Sequence, residues 1–194
     1  SFKQVSDEQL ASTIRRMNQK HCSLDPIPTS LLTGALPHLL PILSKIVNSS
    51  LSQGEMPDNL KTAVIRPAHK NASLDPDQLK SYRPISNLSF LSKVVEKCVA
   101  EQLVDHLEKH GLFAKFQSAY RTKHSCETAT VKIVNDILLQ IDSKSQVILM
   151  LLDLSAAFDT ISHSELLRRL ENEYRIGGRV LKWIKSYLSG RSAK

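Results

Sequence analysis

Between Gln146 and Thr160 the chain reads QVILMLLDLSAAFDT, and no other stretch limits the fold so tightly. Val147 to Leu152 are apolar without interruption and run into Asp153. A run of that length with no polar alternation suits a strand covered on both faces that delivers a carboxylate at its C-terminal end. An acid in that position is a natural ligand for Mg²⁺, a hard cation that combines a few carboxylates with the oxygens of a bound phosphate. The small residues Ser155, Ala156 and Ala157 then let a ligand approach the backbone closely, and Phe158 and Asp159 close the turn with a ring and a second acid. The plain alternative is that Asp153 caps a following helix, as many strand-ending acids do.

Composition narrows the partners. The 194 residues are 41% apolar, enough for a real core in one large domain or two small ones. The formal net charge of +7 favours polyanions but does not choose between RNA, DNA and an anionic membrane surface; a basic solvated surface with no partner stands beside them. Cys22, Cys98 and Cys126 are odd in number and too far apart for zinc-site spacing, and read as packed or free thiols of a reducing compartment. With no leader pattern and no apolar run of bilayer length, the expectation is an intracellular protein, nuclear or cytoplasmic, without a membrane partner. The start on Ser1 and the stop after SYLSGR suggest a section of a longer protein.

Helical signals dominate the rest. Ser6 to Gln9 is a capping-box pattern that opens a helix to about Met17, with Leu10, Ile14 and Met17 on one face. Thr29 can cap a second helical stretch, and Leu31 to Leu51 is apolar at helical spacing, with Pro37 and Pro41 expected to break or kink it. Lys61 to Pro67 is β-like, and the polar, turn-rich His69 to Leu79 reads as a loop joining a hairpin. Pro84 holds the chain extended after Arg83, Asn87 or Ser89 can cap, and Val94, Val95, Cys98 and Leu103 stripe the helix that follows. An Arg on a rigid extended segment just before a helix is well placed to grip phosphate, although a lone Arg-Pro more often makes a surface salt bridge. Ser125 caps a helix whose apolar face is Val131, Val134, Ile137, Leu138 and Ile141, and Arg121, Lys123 and His124 form a basic cluster ahead of it. Ser162 to Glu165 is a further capping box, and Val180 to Leu188 is a last helix in a locally basic end.

Three strings, with a fourth in support, carry more than periodicity. LLDLSAAFDT closely resembles the first carboxylate motif of reverse transcriptases from LINE-type, non-LTR retrotransposons. YRPISNLSFLSKVVEK resembles that family's fingers motif, and FQSAYRTKHSCETAT its next motif, with Cys126 where Thr is usual. SLDPIPTSLL is similar to the region preceding the polymerase core, and Ser162 stands where the family commonly has Asp, either of which can cap.

The resemblance implies an α+β, helix-rich fold: part of a right-hand polymerase, fingers and the first part of a palm, with a small sheet and several amphipathic helices. It divides the chain into a helical N-terminal extension over residues 1–60, a fingers-like region over 61–145 and the first part of the palm over 146–194. The implied activity is RNA-directed DNA polymerisation by two-metal nucleotidyl transfer, with Mg²⁺ or Mn²⁺ as cofactor. An RNA template, a DNA primer and deoxynucleoside triphosphates are the implied partners, with room for an endonuclease domain in the same polypeptide. Asp153 becomes the catalytic metal ligand, helped by the backbone carbonyl of Leu154. Ser155, Ala156 and Ala157 floor the nucleotide pocket, and Phe158 presses on the sugar. Arg83 contacts nucleotide phosphate, Arg121 contacts template or nucleotide phosphates or buttresses a palm carboxylate, and Lys123 and His124 face nucleic acid. The family's Gly-Pro-Gln-Gly type motif and its aromatic-x-Asp-Asp hairpin do not occur in this sequence, where no two Asp residues adjoin, so this chain alone is expected to be inactive. Two other classes compete. One is a retroelement-derived module that binds nucleic acid or a partner without catalysis. The other is a haloacid-dehalogenase-like phosphotransferase, which needs an Asp where Ser155 stands.

Overall fold

The computed structural model describes residues 1–154, 157 and 159–194. They form two compact units, one of Ser1–His106 with Ser162–Lys194 and one of Leu107–Ile161. Helices dominate, and a small three-stranded sheet completes an α+β fold.

In the larger unit, α1 (Asp7–Arg16) opens as its first residues dictate: Ser6 accepts the Gln9 amide while the Gln9 side chain accepts that of Ser6. Two helices follow, α2 (Thr29–Gly34) and α3 (Leu36–Gln53). The break falls at Ala35, and Pro37 lies in the first turn of α3, where a missing N–H costs nothing. α3 runs through Pro41 without a break, although the missing N–H there leaves the Pro37 carbonyl without its intrahelical donor. Gly54 ends α3 in the left-handed region at φ +67, and a Cβ there would come within 2.8 Å of the Arg179 carbonyl oxygen. Only glycine allows that approach.

The hairpin pairs β1 (Thr62–His69) antiparallel with β2 (Tyr82–Leu88), and β3 (Ser192–Ala193) adds in parallel beside Thr62 and Ala63. Pro67 faces Pro84, beyond the reach of β3, so neither proline removes a bond from the three-stranded part. Loop 70–81 is tied across its base by the Lys70 amide to the Ser81 carbonyl at 2.9 Å and by the Tyr82 hydroxyl to the Pro76 carbonyl at 2.8 Å.

From β2 the chain enters α4 (Phe90–Lys109), where Ser89, rather than Asn87, supplies the side-chain cap to Ser92 N–H. Leu10 and Ile14 of α1, Leu43, Val47 and Leu51 of α3, and Phe90, Val94, Val95 and Cys98 of α4 fuse into one core. α6 (His163–Asn172) and α7 (Gly178–Leu188) complete it. Trp183 of α7 is buried, donates its indole N–H to Ser50 Oγ at 2.9 Å and stacks on Tyr187 at 5.2 Å between ring centroids. Ser162 caps α6 as expected, but Glu165 turns forward to pair with Arg168 instead of closing the box.

In the smaller unit α5 (Cys126–Asp142) forms with the Ser125 cap foreseen, reinforced by Thr128 donating its amide and accepting the Ser125 amide. Its apolar face is present but uncovered, with Val131 68% and Leu138 53% exposed. The run Val147 to Leu152 corrects the sequence reading: it forms no strand and lies open to solvent, with Ile148 91% and Leu152 85% exposed. The physical reason is that a strand needs a neighbour for its N–H and C=O groups, and this run pairs with none among the described residues. No described helix is long and apolar enough to cross a membrane.

Candidate nucleic-acid and metal site

Arg83 projects from β2 one residue before Pro84 and is exposed. The register sets it opposite Ala68, while Arg66 of β1 lies opposite Ile85. Side chains alternate along a strand, so Arg66 and Arg83 share one face as diagonal neighbours. Neither arginine makes an ion pair among the described residues. Both guanidiniums are followed by proline, which stiffens the strand that carries them. Sequence reasoning singled out Arg83 and passed over Arg66. The signal was the second Arg-Pro step, Arg66-Pro67, which the hairpin sets in register with the first.

In the smaller unit, Arg121, Lys123 and His124 occupy one turn-rich segment leading into α5. Arg121 is half-buried, with its guanidinium 5.0 Å from the centroid of the Phe113 ring and Nη1 donating to the Gln117 carbonyl at 3.2 Å. Those contacts fix its plane and leave other N–H groups for a ligand. Lys123 adopts the left-handed conformation at φ 63, a backbone kink that a long side chain tolerates poorly outside a tight turn. His124 is anchored locally, Nδ1 lying 2.9 Å from the Thr122 carbonyl, and its amide bonds the Arg121 carbonyl at 3.3 Å. All three stand just ahead of the α5 N-terminus, where the helix dipole also favours anions.

Asp153 and Leu154 are exposed on a segment without regular structure, and Asp159 lies in the turn that follows. Ala157 is half-buried, and its carbonyl accepts the Thr160 hydroxyl at 3.4 Å. Ser155, Ala156 and Phe158, assigned above to the nucleotide pocket and the sugar, lie outside the described residues. The residue types fit a divalent metal only in part. Asp153 offers one carboxylate and Leu154 one carbonyl, and the described residues contain no group of three His, Cys, Asp or Glu side chains that could hold an ion. A hard divalent cation takes six or more oxygen ligands.

Sequence reasoning missed the anchors beneath these residues. The Asp25 carboxylate, its side chain 7% exposed, accepts the Phe90 amide at 2.6 Å and the Cys22 amide at 2.9 Å, and so fixes the junction between β2 and α4 just below the Arg83 strand. The only sequence signal was an Asp before Pro26, which marks a turn but not a partner 65 residues away.

The family model for reverse transcriptase (RNA-dependent DNA polymerase) matches residues 68–194, an interval that contains Arg83, Arg121 and Asp153. Among individual proteins, the chain is 28% identical to a probable RNA-directed DNA polymerase from transposon X-element of Drosophila melanogaster, over 92% of this chain and 19% of that protein. It is 27% identical to the RNA-directed DNA polymerase from mobile element jockey of the same species, over 97% of this chain and 20% of that protein. A probable RNA-directed DNA polymerase from its transposon BS is 26% identical over 98% and 21%. The chain thus spans about a fifth of the length of the curated relatives it matches, and their similarity reaches back through α1 to α3, ahead of the family match. The chain therefore belongs to the reverse transcriptase family, as a reverse transcriptase domain of the LINE, non-LTR retrotransposon type.

Proposed function

We propose that this chain supplies the fingers and the first part of the palm of an RNA-directed DNA polymerase, with residues 1–60 as a helical extension, 61–145 as the fingers region and 146–194 as the start of the palm. The observation that carries the proposal is the family match over residues 68–194, because all three sequence motifs fall within it. In this reading Arg83, joined by Arg66, holds nucleotide phosphate on the hairpin. Arg121, Lys123 and His124 meet nucleic-acid phosphates, with the guanidinium of Arg121 held in place by Phe113. Ser155, Ala156, Ala157 and Phe158 shape the nucleotide pocket. A divalent metal, Mg²⁺ or Mn²⁺, would supply Lewis-acid stabilisation of the transferring phosphoryl group, and Asp153 with the Leu154 carbonyl would be part of its shell.

The test uses a labelled RNA/DNA duplex titrated with the chain at several salt concentrations. Each lysine or arginine that neutralises a phosphate releases roughly one counterion, so log affinity falls linearly with log salt, by a slope of about 0.9 per contact. Removing Arg66 and Arg83 together should flatten the slope by about two contacts. Salt-independent binding, or an unchanged slope in the double variant, would refute the assignment. In a longer polypeptide with polymerase activity, Asp153→Asn should cut primer extension on an RNA template by about a thousandfold, since a neutral amide is a poor ligand for a hard cation. Retention of most of the rate would move the chemistry elsewhere.

A further inference from the structure

An open groove of about 1250 Å³ runs between α3 and α7 in the larger unit, and none of its lining residues is among those assigned above to nucleotide or nucleic acid. Its lining divides by chemistry. Pro41, Ile42, Ile46 and Pro57 make an apolar wall, and Ile42 is 60% exposed. On α3 the core uses Leu43, Val47 and Leu51, so Ile42 and Ile46, each one position earlier, form a second apolar stripe outside that core, Ile42 exposed and Ile46 half-buried. The polar atoms at the floor are already satisfied. Ser50 Oγ donates to the Glu55 carbonyl at 2.6 Å and accepts the Trp183 indole N–H, while Ser186 Oγ accepts the Met56 amide at 3.1 Å. What the floor offers a ligand is therefore apolar contact.

The rim carries the charge. Lys45, Lys182 and Lys185 stand against Glu55 and Asp58, and both acids are spent within the molecule, Glu55 on Lys182 at 2.7 Å and Asp58 on Lys61 at 2.9 Å. Lys45 and Lys185 enter no ion pair among the described residues and stay uncompensated beside the apolar wall. A helix about 10 Å across would fill this volume with roughly three turns.

We propose that the groove docks an amphipathic helix of a protein partner, apolar where it meets Ile42 and Ile46 and acidic along the edges that face Lys45 and Lys185. Charge complementarity selects this occupant. A single-stranded nucleic acid would find no aromatic side chain among the lining residues on which to stack a base. A second copy of the chain would bring lysine against lysine across a two-fold axis.

The test titrates the 194-residue chain, with isotope-labelled isoleucine methyls, against a panel of helical peptides that carry a leucine face flanked by glutamates and differ in the register of that face. At least one acidic peptide should shift the Ile42 and Ile46 methyls. Its affinity should fall about tenfold or more in Lys45→Glu/Lys185→Glu, and equally when the peptide's glutamates become lysines, since a misplaced charge at a rim costs on the order of 1.4 kcal/mol or more. Ile42→Glu should abolish the shifts while leaving the far-UV circular dichroism unchanged. Should that variant misfold, the paired lysine variant decides alone. No shift with any acidic peptide at millimolar concentration, equal binding of acidic and basic peptides, or displacement of the peptide by single-stranded RNA would overturn the proposal. None of these readouts depends on duplex binding, so the nucleic-acid reading stands or falls separately.

Discussion

Asp25→Ala should be among the most damaging single changes that touch no apolar side chain. The carboxylate is nearly enclosed, and its two oxygens are committed separately, Oδ1 to the Phe90 amide at 2.6 Å and Oδ2 to the Cys22 amide at 2.9 Å. Hydrogen bonds to a charged partner contribute about 1.5–3 kcal/mol each, and deletion leaves the donor at Phe90, a residue only 2% exposed, facing apolar neighbours. Water entering the space of the lost carboxylate recovers part of the loss. The expected cost is therefore about 3 kcal/mol, below the sum of two full bonds, and for a protein of this size it lowers Tm by roughly 6–12 °C. Asp25→Asn keeps one acceptor oxygen and loses the charge, so it should fall midway. Asp105→Ala is the control, because its contact with Lys3 is long, at 3.8 Å, and exposed on both sides, and such pairs contribute about 0–1 kcal/mol. Thermal and urea unfolding of the three variants, with amide exchange at Phe90, measure the effect. If Asp25→Ala melts as the Asp105→Ala control does, the buried carboxylate is not what ties the 22–25 turn to α4.

Three further outcomes are expected. Burial pushes the Cys98 thiol up to about 11, and Cys22 is equally enclosed, whereas Cys126 is exposed; a thiol reagent at pH 8 should label one cysteine quickly and the other two only on unfolding, and three fast equivalents would refute the packing. Glu96 sits above its ordinary range because burial outweighs the Tyr187 hydroxyl and the Arg191 and Lys93 charges, so the fold prefers it protonated; its contribution is complete below the unfolded value and is lost as pH rises, and wild type should gain on Glu96→Gln in urea unfolding between pH 7 and pH 4.5, with a constant or opposite difference counting against it. In an active longer polypeptide, Phe158→Val should admit ribonucleotides if the ring presses on the sugar as the family resemblance implies, and unchanged discrimination in a stable, active variant would assign the ring to packing.

What was legible in the sequence follows the distance over which each choice is made. The caps of α1, α5 and α6 were readable because a cap and its partner lie three residues apart, as Ser6 with Gln9 and Ser125 with Thr128. The hairpin announced itself through a β-like run, a turn-rich loop and an extended Arg-Pro segment. The hydrogen bonds from Phe90 to Asp25 and from Trp183 to Ser50 left no local trace, since their partners lie 65 and 133 residues apart. Nor did the parallel pairing of Ser192 and Ala193 with Thr62 and Ala63, two residues on each side. For the candidate site the same rule holds: motif text picked out Arg83, Arg121 and Asp153, while Arg66 emerged only once the register was known.

The run Val147 to Leu152 shows why apolar pattern and formed strand are separate facts. Pattern states the environment a segment suits, and six apolar side chains with Ile148, Leu151 and Leu152 at 91%, 83% and 85% exposure state that this environment is not supplied by the described residues. Burying one such side chain fully is worth about 1.5–3 kcal/mol, so the run holds on the order of 10 kcal/mol of unrealised stabilisation, comparable with the whole stability of a small domain. The uncovered stripe of α5, with Val131, Val134 and Leu138 exposed in the same unit, adds to it. A polar loop would gain little from a neighbour, whereas this segment gains both apolar cover and partners for its backbone as soon as a strand is set beside it. The matched relatives are about five times longer than this chain, which gives room for such a neighbour. Asp153, which the resemblance marks for chemistry, thus ends a segment whose folding depends on what is placed next to it.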